Sequence, residues 1–266
     1  MSSSLTRMLA VFDAFSAQHP VLTAEDIMAR LGYSRGTAYR YLRELVAVGL
    51  LARVAGGAYT LGPRIIELDF AIRQCDPVLS AAIPIMQALR KKLDCDVLLT
   101  SFYEDRVVVT HHERGDDLIT VSFGRGRVMP ILRGAPSKAI LAWLPPARQK
   151  RLYAEHAADA QAAGMGANWN EFKTRLSAIR KAGHCVSFAE LDPGNVGIAA
   201  PLTTEPPHTP GSLGVVFSRS RYDILDKALV VEIVCNAAAQ IDALASQAKN
   251  GGAELLPWPG RERFLA

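Results

Sequence analysis

Apolar residues near the start of the chain recur at helical spacing. Leu5, Met8, Leu9, Phe12 and Phe15 fall three and four residues apart, which predicts a helix over residues 4–17 closed by Pro20. Thr23 stands where an N-cap belongs, with Glu25 and Asp26 in the next turn, where acids meet the positive end of the helix dipole. Ile27, Met28 and Leu31 form the stripe of a short second helix that Gly32 ends. Ser34 opens a third helix to about Val48, with Ala38, Tyr41, Leu42 and Leu45 on its apolar face and Gly49 as its stop. Residues 50–54 and 59–62 have strand character and flank Ala55-Gly56-Gly57-Ala58, which predicts a hairpin. Pro63 starts a further helix carrying Ile65, Ile66, Leu68 and Ile72, and Asp76-Pro77 breaks it.

Beyond that break the pattern alternates. A long helix is predicted over 78–93, then paired strands over 97–103 and 106–112 around Glu104-Asp105, and another strand over 118–123. Helices follow at 138–144, in 146–160 and at 169–182, then strands near 184–189, 196–203 and 213–218, then a closing helix from about Asp223 to Ala248. Such alternation predicts an α/β sandwich. The expected organisation is an α/β multidomain chain: a first domain over 1–62, a linker helix over 63–77, a second domain over 78–249, and a loose tail over 250–266.

Composition narrows the class. The chain has 266 residues, 49% hydrophobic and 21% charged, as globular proteins are. A net charge of +4 is compatible with nucleic acid without requiring it. No secretory signal is read at the N-terminus, and no run of apolar residues is long enough to predict a membrane span. Cys75, Cys95, Cys185 and Cys235 are scattered and form no C-x-x-C pair, which sets aside zinc-ribbon and thioredoxin-like readings and favours reduced thiols in a cytoplasm.

Helix, helix, turn, helix and hairpin in this order form the winged variant of the helix-turn-helix. The third helix has an apolar back, while Arg35, Thr37, Arg40 and Arg43 stand forward and no acid occurs between Ser34 and Glu44. Arginines on such a helix read guanine or neutralise phosphates in a major groove. Ser34 marks a helix head whose N–H groups can hold a phosphate, and Arg53 on the hairpin can touch the backbone beside it. The bland alternative is a helical domain with solvated arginines. The ordered set of cap, glycine stops, arginine face and Gly-Gly wing outweighs it.

These stretches resemble the IclR family of bacterial regulators. The resemblance rests on residues 5–9, on residues 31–42 and on residues 57–62 at the end of the wing. It continues through Ser137-Lys138-Ala139-Ile140-Leu141-Ala142 and through Pro193-Gly194 with Gly197-Ile198-Ala199-Ala200-Pro201. It implies a GAF-like effector-binding domain, an operator of double-stranded DNA, a homodimer or homotetramer, no cofactor and no catalysis. Carried over residue by residue, the effector pocket falls on Met129, Ala135, Ser187, Gly197 and Ser218. The chain departs from the family pattern where Ser187 replaces an acid, Gly197 a cysteine and Ser137 a glycine. Those changes are expected to enlarge the pocket, remove a negative charge and favour a bulkier organic or aromatic acid. Backbone N–H groups exposed by the small residues around Gly134 suit a carboxylate.

Other chemistry finds little footing. His111 and His112 are neighbours on a predicted strand and point to opposite faces, which argues against a shared metal. There is no G-x-S-x-G elbow, and Gly124-Arg125-Gly126 lacks the third glycine of a dinucleotide loop. The remaining alternatives are an enzyme with a DNA-binding appendage and an assembly module whose cavity is filled by side chains.

Overall fold

A computed structural model describes residues 3–116, 119–203 and 210–250. The chain divides into two compact units between Cys75 and Asp76.

The first unit opens with α1 (Ser4–Leu9), which tightens into a 3-10 turn over Ala10–Ala14, so the predicted first helix stops short of Phe15. Helix α2 (Ala24–Leu31) begins with a reciprocal cap: the Thr23 hydroxyl accepts from Asp26 N, and the Asp26 carboxylate accepts from Thr23 N at 2.9 Å. Helix α3 (Arg35–Ala47) follows, then β1 (Leu51–Arg53) and β2 (Tyr59–Leu61), paired antiparallel. Between the strands Gly56 and Gly57 both adopt positive φ, near 75°, a conformation glycine reaches without strain. Val11, Ile27, Leu42, Leu45 and Leu51 meet in one core, and Leu22 bridges to Tyr59 to add a third short strand contact. Helix α4 (Arg64–Cys75) ends the unit without a single buried residue.

The second unit is a six-stranded antiparallel sheet with helices on both faces. It contains α5 (Pro77–Leu93), β3 (Asp96–Tyr103), β4 (Arg106–Glu113), β5 (Val128–Met129), α6 (Ala135–Trp143), α7 (Pro146–Glu155), α8 (Ala157–Ala162), α9 (Trp169–Ala182), β6 (Cys185–Phe188), β7 (Asn195–Leu202), β8 (Gly211–Ser218), α10 (Arg219–Ile224) and α11 (Lys227–Asn250). The strand order is β5-β4-β3-β8-β7-β6. Val97, Leu99, Ile198 and Val215 share one core with α5 and α11, whereas Leu98, Phe102 and Val109 share another with α6, α7 and α9. Both faces being covered explains why β3, β7 and β8 read as nearly continuous apolar runs rather than strict alternation. Helix α11 is long and apolar enough over Lys227–Ala248 to span a membrane by length and composition, yet Val230, Val234, Ala237 and Ile241 turn one stripe of it into the core.

Two expectations are corrected here. The predicted strand over 118–123 is absent from its described residues, 119–123, and Leu118 lies outside them. The strand at the β4 edge of the sheet is β5, paired with Val107 and Val108 of β4. Two backbone groups of this segment are met by side chains instead: Asn195 Nδ2 donates to Thr120 O at 2.8 Å, and Ser122 N donates to Asp192 at 3.1 Å. The predicted closing helix is two helices, α10 and α11, broken at Leu225 and Asp226, where Asp226 accepts from Ala228 N and Leu229 N. Of the tail expected over 250–266, Asn250 ends α11 and residues 251–266 lie outside the described residues.

Candidate functional site

Helix α3 sorts its residues sharply. Ala38, Leu42 and Leu45 are fully buried or nearly so, and Tyr41 is 4% exposed. With 3.6 residues per turn, Gly36, Arg40 and Arg43 stand opposite that stripe, and Arg35 and Thr37 take its flanks. The flanking Thr37 is accordingly half-buried, and the three arginines are exposed. Tyr39, which sequence reasoning passed over, is 39% exposed on the same front between Arg35 and Arg43. Cation–π contacts brace the arginines: the Arg40 guanidinium lies 5.3 Å from the Tyr41 ring centre and that of Arg35 5.7 Å from Tyr39. On the wing Arg53 is exposed, 5.9 Å from the Tyr59 ring.

The heads of α2 and α3 differ in a way that bears on function. Asp26 caps α2 with its own carboxylate, whose pKa is held below the usual range by the hydrogen bonds from Thr23. Helix α3 has no side-chain cap and no acid in its first turn. The Ser34 hydroxyl, in the cap position, donates sideways to Thr37 Oγ1 at 3.0 Å. The α3 head therefore keeps its positive end open to solvent.

In the second unit, Met129, Ala135, Ser187 and Gly197 meet around one cavity of about 40 Å³. Ser187, Gly197 and Val216 are register partners across β6, β7 and β8 and form its floor. The head of α6 descends onto that floor. Ala135 N donates to Ser187 Oγ at 3.0 Å, and a Cβ on Gly197 would lie 3.0 Å from the same hydroxyl and 3.6 Å from Ala135 Cβ. A side chain at 197 would meet the Ser187 hydroxyl closely and lie in ordinary contact with Ala135, and the cavity left beside it is small, so the expected enlargement of the pocket is not seen. Val121, Phe123 and Leu191 cover the space from the other side.

The charge missing at Ser187 does not leave the cavity without an acid. Glu190, in the loop after β6, lines the cavity and places its carboxylate at the α6 head, accepting from Gly134 N at 2.8 Å and from Lys138 Nζ at 2.6 Å. Sequence reasoning missed both partners; the available signal was an acid three residues beyond Ser187 and a lysine buried in an apolar helix. Ser218 stands apart from the cavity. It caps α10, accepting from Arg221 N, and its hydroxyl meets Ser220. A larger open groove of about 540 Å³ runs between α5 and α11 and holds none of the sequence-predicted residues.

His112 Nε2 lies 2.7 Å from Asp96 Oδ2, and His111 Nε2 lies 2.8 Å from Glu113. The two histidines have separate acidic partners, and no group of three or more His, Cys, Asp or Glu among the described residues is placed to hold a metal ion.

Fold and site define a class: a DNA-binding regulator with an N-terminal winged helix-turn-helix and a separate C-terminal α/β effector domain. Residues 4–55 match the IclR helix-turn-helix domain, and residues 71–243 match the C-terminal domain described as bacterial transcriptional regulator IclR C-terminal. The chain belongs to the IclR family of transcriptional regulators, and it is not an enzyme. It is similar to the HTH-type transcriptional regulator KipR of Bacillus subtilis, 22% identical over 240 residues, covering 90% of this chain and 96% of that protein. Its fold is that of an IclR transcriptional regulator from Alicyclobacillus acidocaldarius (TM-score 0.76, 20% identity, 92% of this chain and 99% of the other). It is equally that of an IclR homologue from Microbacterium hydrocarbonoxydans complexed with 4-hydroxybenzoate (TM-score 0.72, 21% identity, 92% of this chain and 100% of the other).

Proposed function

We propose that this regulator works in the cytoplasm as a homodimer or homotetramer, binding a (pseudo)palindromic operator through α3 and the wing and a small organic acid, aromatic in the favoured case, in the cavity at the head of α6. The DNA half rests on one observation, the front of α3: exposed arginines opposite a buried stripe, with an uncapped helix head, no acid in the first turn and Glu44, paired with Arg43, as the first acid along the helix. Arg40 and Arg43, most directly opposed to the core, are the groove contacts. Arg35 and Thr37 flank them, the N–H groups at Ser34 receive a phosphate, and Arg53 follows the backbone. Two-fold symmetry of the protein mirrors that of the operator.

The acid is supported by the gathering of Met129, Ala135, Ser187 and Gly197 and by the donors at the α6 head. The 4-hydroxybenzoate held by the Microbacterium homologue is an aromatic acid of the kind proposed. Ser218, engaged as a helix cap, is left out of the proposed contacts.

The test is a mobility shift with the protein's own upstream intergenic DNA, excess competitor DNA and a fixed salt concentration. A discrete, competitor-resistant complex is expected. Arg40→Ala should weaken it about tenfold or more, as loss of a base or phosphate contact does, with effector binding intact. Wild-type operator affinity in that variant removes α3 as the recognition helix. The small cavity also favours a second reading, an assembly module whose cavity is closed by side chains; that reading expects no acid to alter either thermal stability or operator binding.

A further inference from the structure

A cavity of about 40 Å³ holds a few water molecules, against the ~300–1,000 Å³ of ordinary ligand pockets. What closes it is specific. The Glu190 carboxylate already sits where an acid would bind, held by Gly134 N and Lys138 Nζ, while Ser187 takes the neighbouring N–H of Ala135. The cradle therefore binds a carboxylate in this structure, and the carboxylate is the protein's own.

We infer that Glu190 is an internal stand-in for the effector, and that a carboxylate ligand binds by displacing it from Gly134 N and Lys138 Nζ. This rests on the acid-sensing reading above and adds the residue that sets the ligand's charge and couples its arrival to movement. Lys138 is 6% exposed, so its ammonium must keep an anionic partner. An incoming carboxylate supplies one; a neutral ligand that expelled Glu190 would strand the cation. The cradle thus selects an anion. Glu190 has a route out, because its side chain is 25% exposed and can swing into water.

The same loop carries the roof. Ala189, immediately before Glu190, has φ 51°, a left-handed conformation that is strained for alanine. Asp192 and Asn195, just beyond, bind Ser122 and Thr120 O of the segment that bears Val121 and Phe123. Because Ala189 and both ties belong to the loop that carries Glu190, departure of Glu190 would work on that loop, and the cavity is expected to open as its internal ligand leaves. Ser137 Oγ, on the first turn of α6, is buried without a hydrogen-bond partner and is a further polar group in that turn.

The experiment uses the full chain with Glu190→Ala and asks whether a free carboxylate replaces the missing one. Thermal unfolding is followed in sodium acetate or sodium benzoate against sodium chloride at equal ionic strength. In Glu190→Ala, carboxylate at about 100 mM should raise the midpoint by roughly 2–4 °C over chloride and saturate, while the wild type responds far less because Glu190 competes. Adding Lys138→Met should abolish the rise. An equal response to chloride, or a rise that persists without Lys138, overturns the inference. Should Glu190→Ala fail to fold, Glu190→Gln removes the charge with less loss of volume and carries the same expectation. A merely structural ion pair would destabilise when cut but show no preference for carboxylate over chloride. The mobility shift separates the two claims: a carboxylate-specific rise with operator binding indifferent to acids keeps the cradle and sinks the sensing role, whereas acid-responsive operator binding without the rise sinks the cradle alone.

Discussion

Cys95 and Cys185 show how surroundings decide what a side chain does. Burial, aided at Cys95 by the neighbouring Asp96 carboxylate, pushes their thiols up to about 12 and about 11 from an ordinary value of 9.0. Only the unfolded chain ionises them as pH rises past 9, so they contribute stability that is intact below pH 9 and drains away between 9 and about 11–12. Denaturant unfolding should therefore show stability falling over that range, with a shallower fall in Cys95→Ala; an unchanged slope would mean the thiol is not shielded. A thiol reagent at pH 8 should find exposed Cys75 first. The same dependence on surroundings governs the effector cavity. The small residues at 135, 187 and 197 are visible in the sequence, but whether smallness makes room for a ligand or for a helix is not. Here the α6 head takes the space, as the 3.0 Å bond from Ala135 N to Ser187 Oγ records.

At the scale of elements, the short-range punctuation was readable because its physics is local. Thr23 with Asp26 caps α2, Gly32 ends it, and paired glycines turn the wing. Gly62 has a tighter role. A Cβ there would lie 2.1 Å from Gly49 O, so the end of the wing and the end of α3 approach too closely for any side chain. Gly62→Ala should destabilise the first unit by about 1–3 kcal/mol, as overpacking does, measured by thermal unfolding. A variant as stable as the wild type would show that the junction yields without cost. The misread segment at 119–123 failed for the opposite reason. Its alternating apolar residues fit a strand, but alternation states only that one side is covered. Asp192 and Asn195, some seventy residues along the chain, supply the hydrogen bonds a strand neighbour would have given.

For the molecule as a whole, α4 poses the question of assembly. It is a twelve-residue helix with no buried residue, and Ile66, Phe70 and Ile72 are each more than 60% exposed. Apolar side chains in that density call for a partner, and the proposed oligomer provides one. Phe70→Glu should lower the solution mass measured by light scattering and weaken operator binding, because one half-site contact alone discards the symmetry of the site. Unchanged mass would assign the interface to other surfaces.

By itself the sequence determined the class of protein, since a winged helix-turn-helix is written in contiguous caps, stops and an arginine face within about sixty residues, and its two-part α/β organisation follows from periodicity. Met129, Ala135, Ser187 and Gly197 could be chosen by resemblance. The tertiary structure alone decided that Ser218 serves α10, that Val121 and Phe123 line the cavity, and that Glu190 fills the cradle. The last two depend on partners distant in the chain, Lys138 lying 52 residues from Glu190, and such pairing is fixed by how the sheet and α6 pack rather than by any local spacing; the Ser218 cap is local, three residues from Arg221, but only the fold shows that it stands away from the cavity.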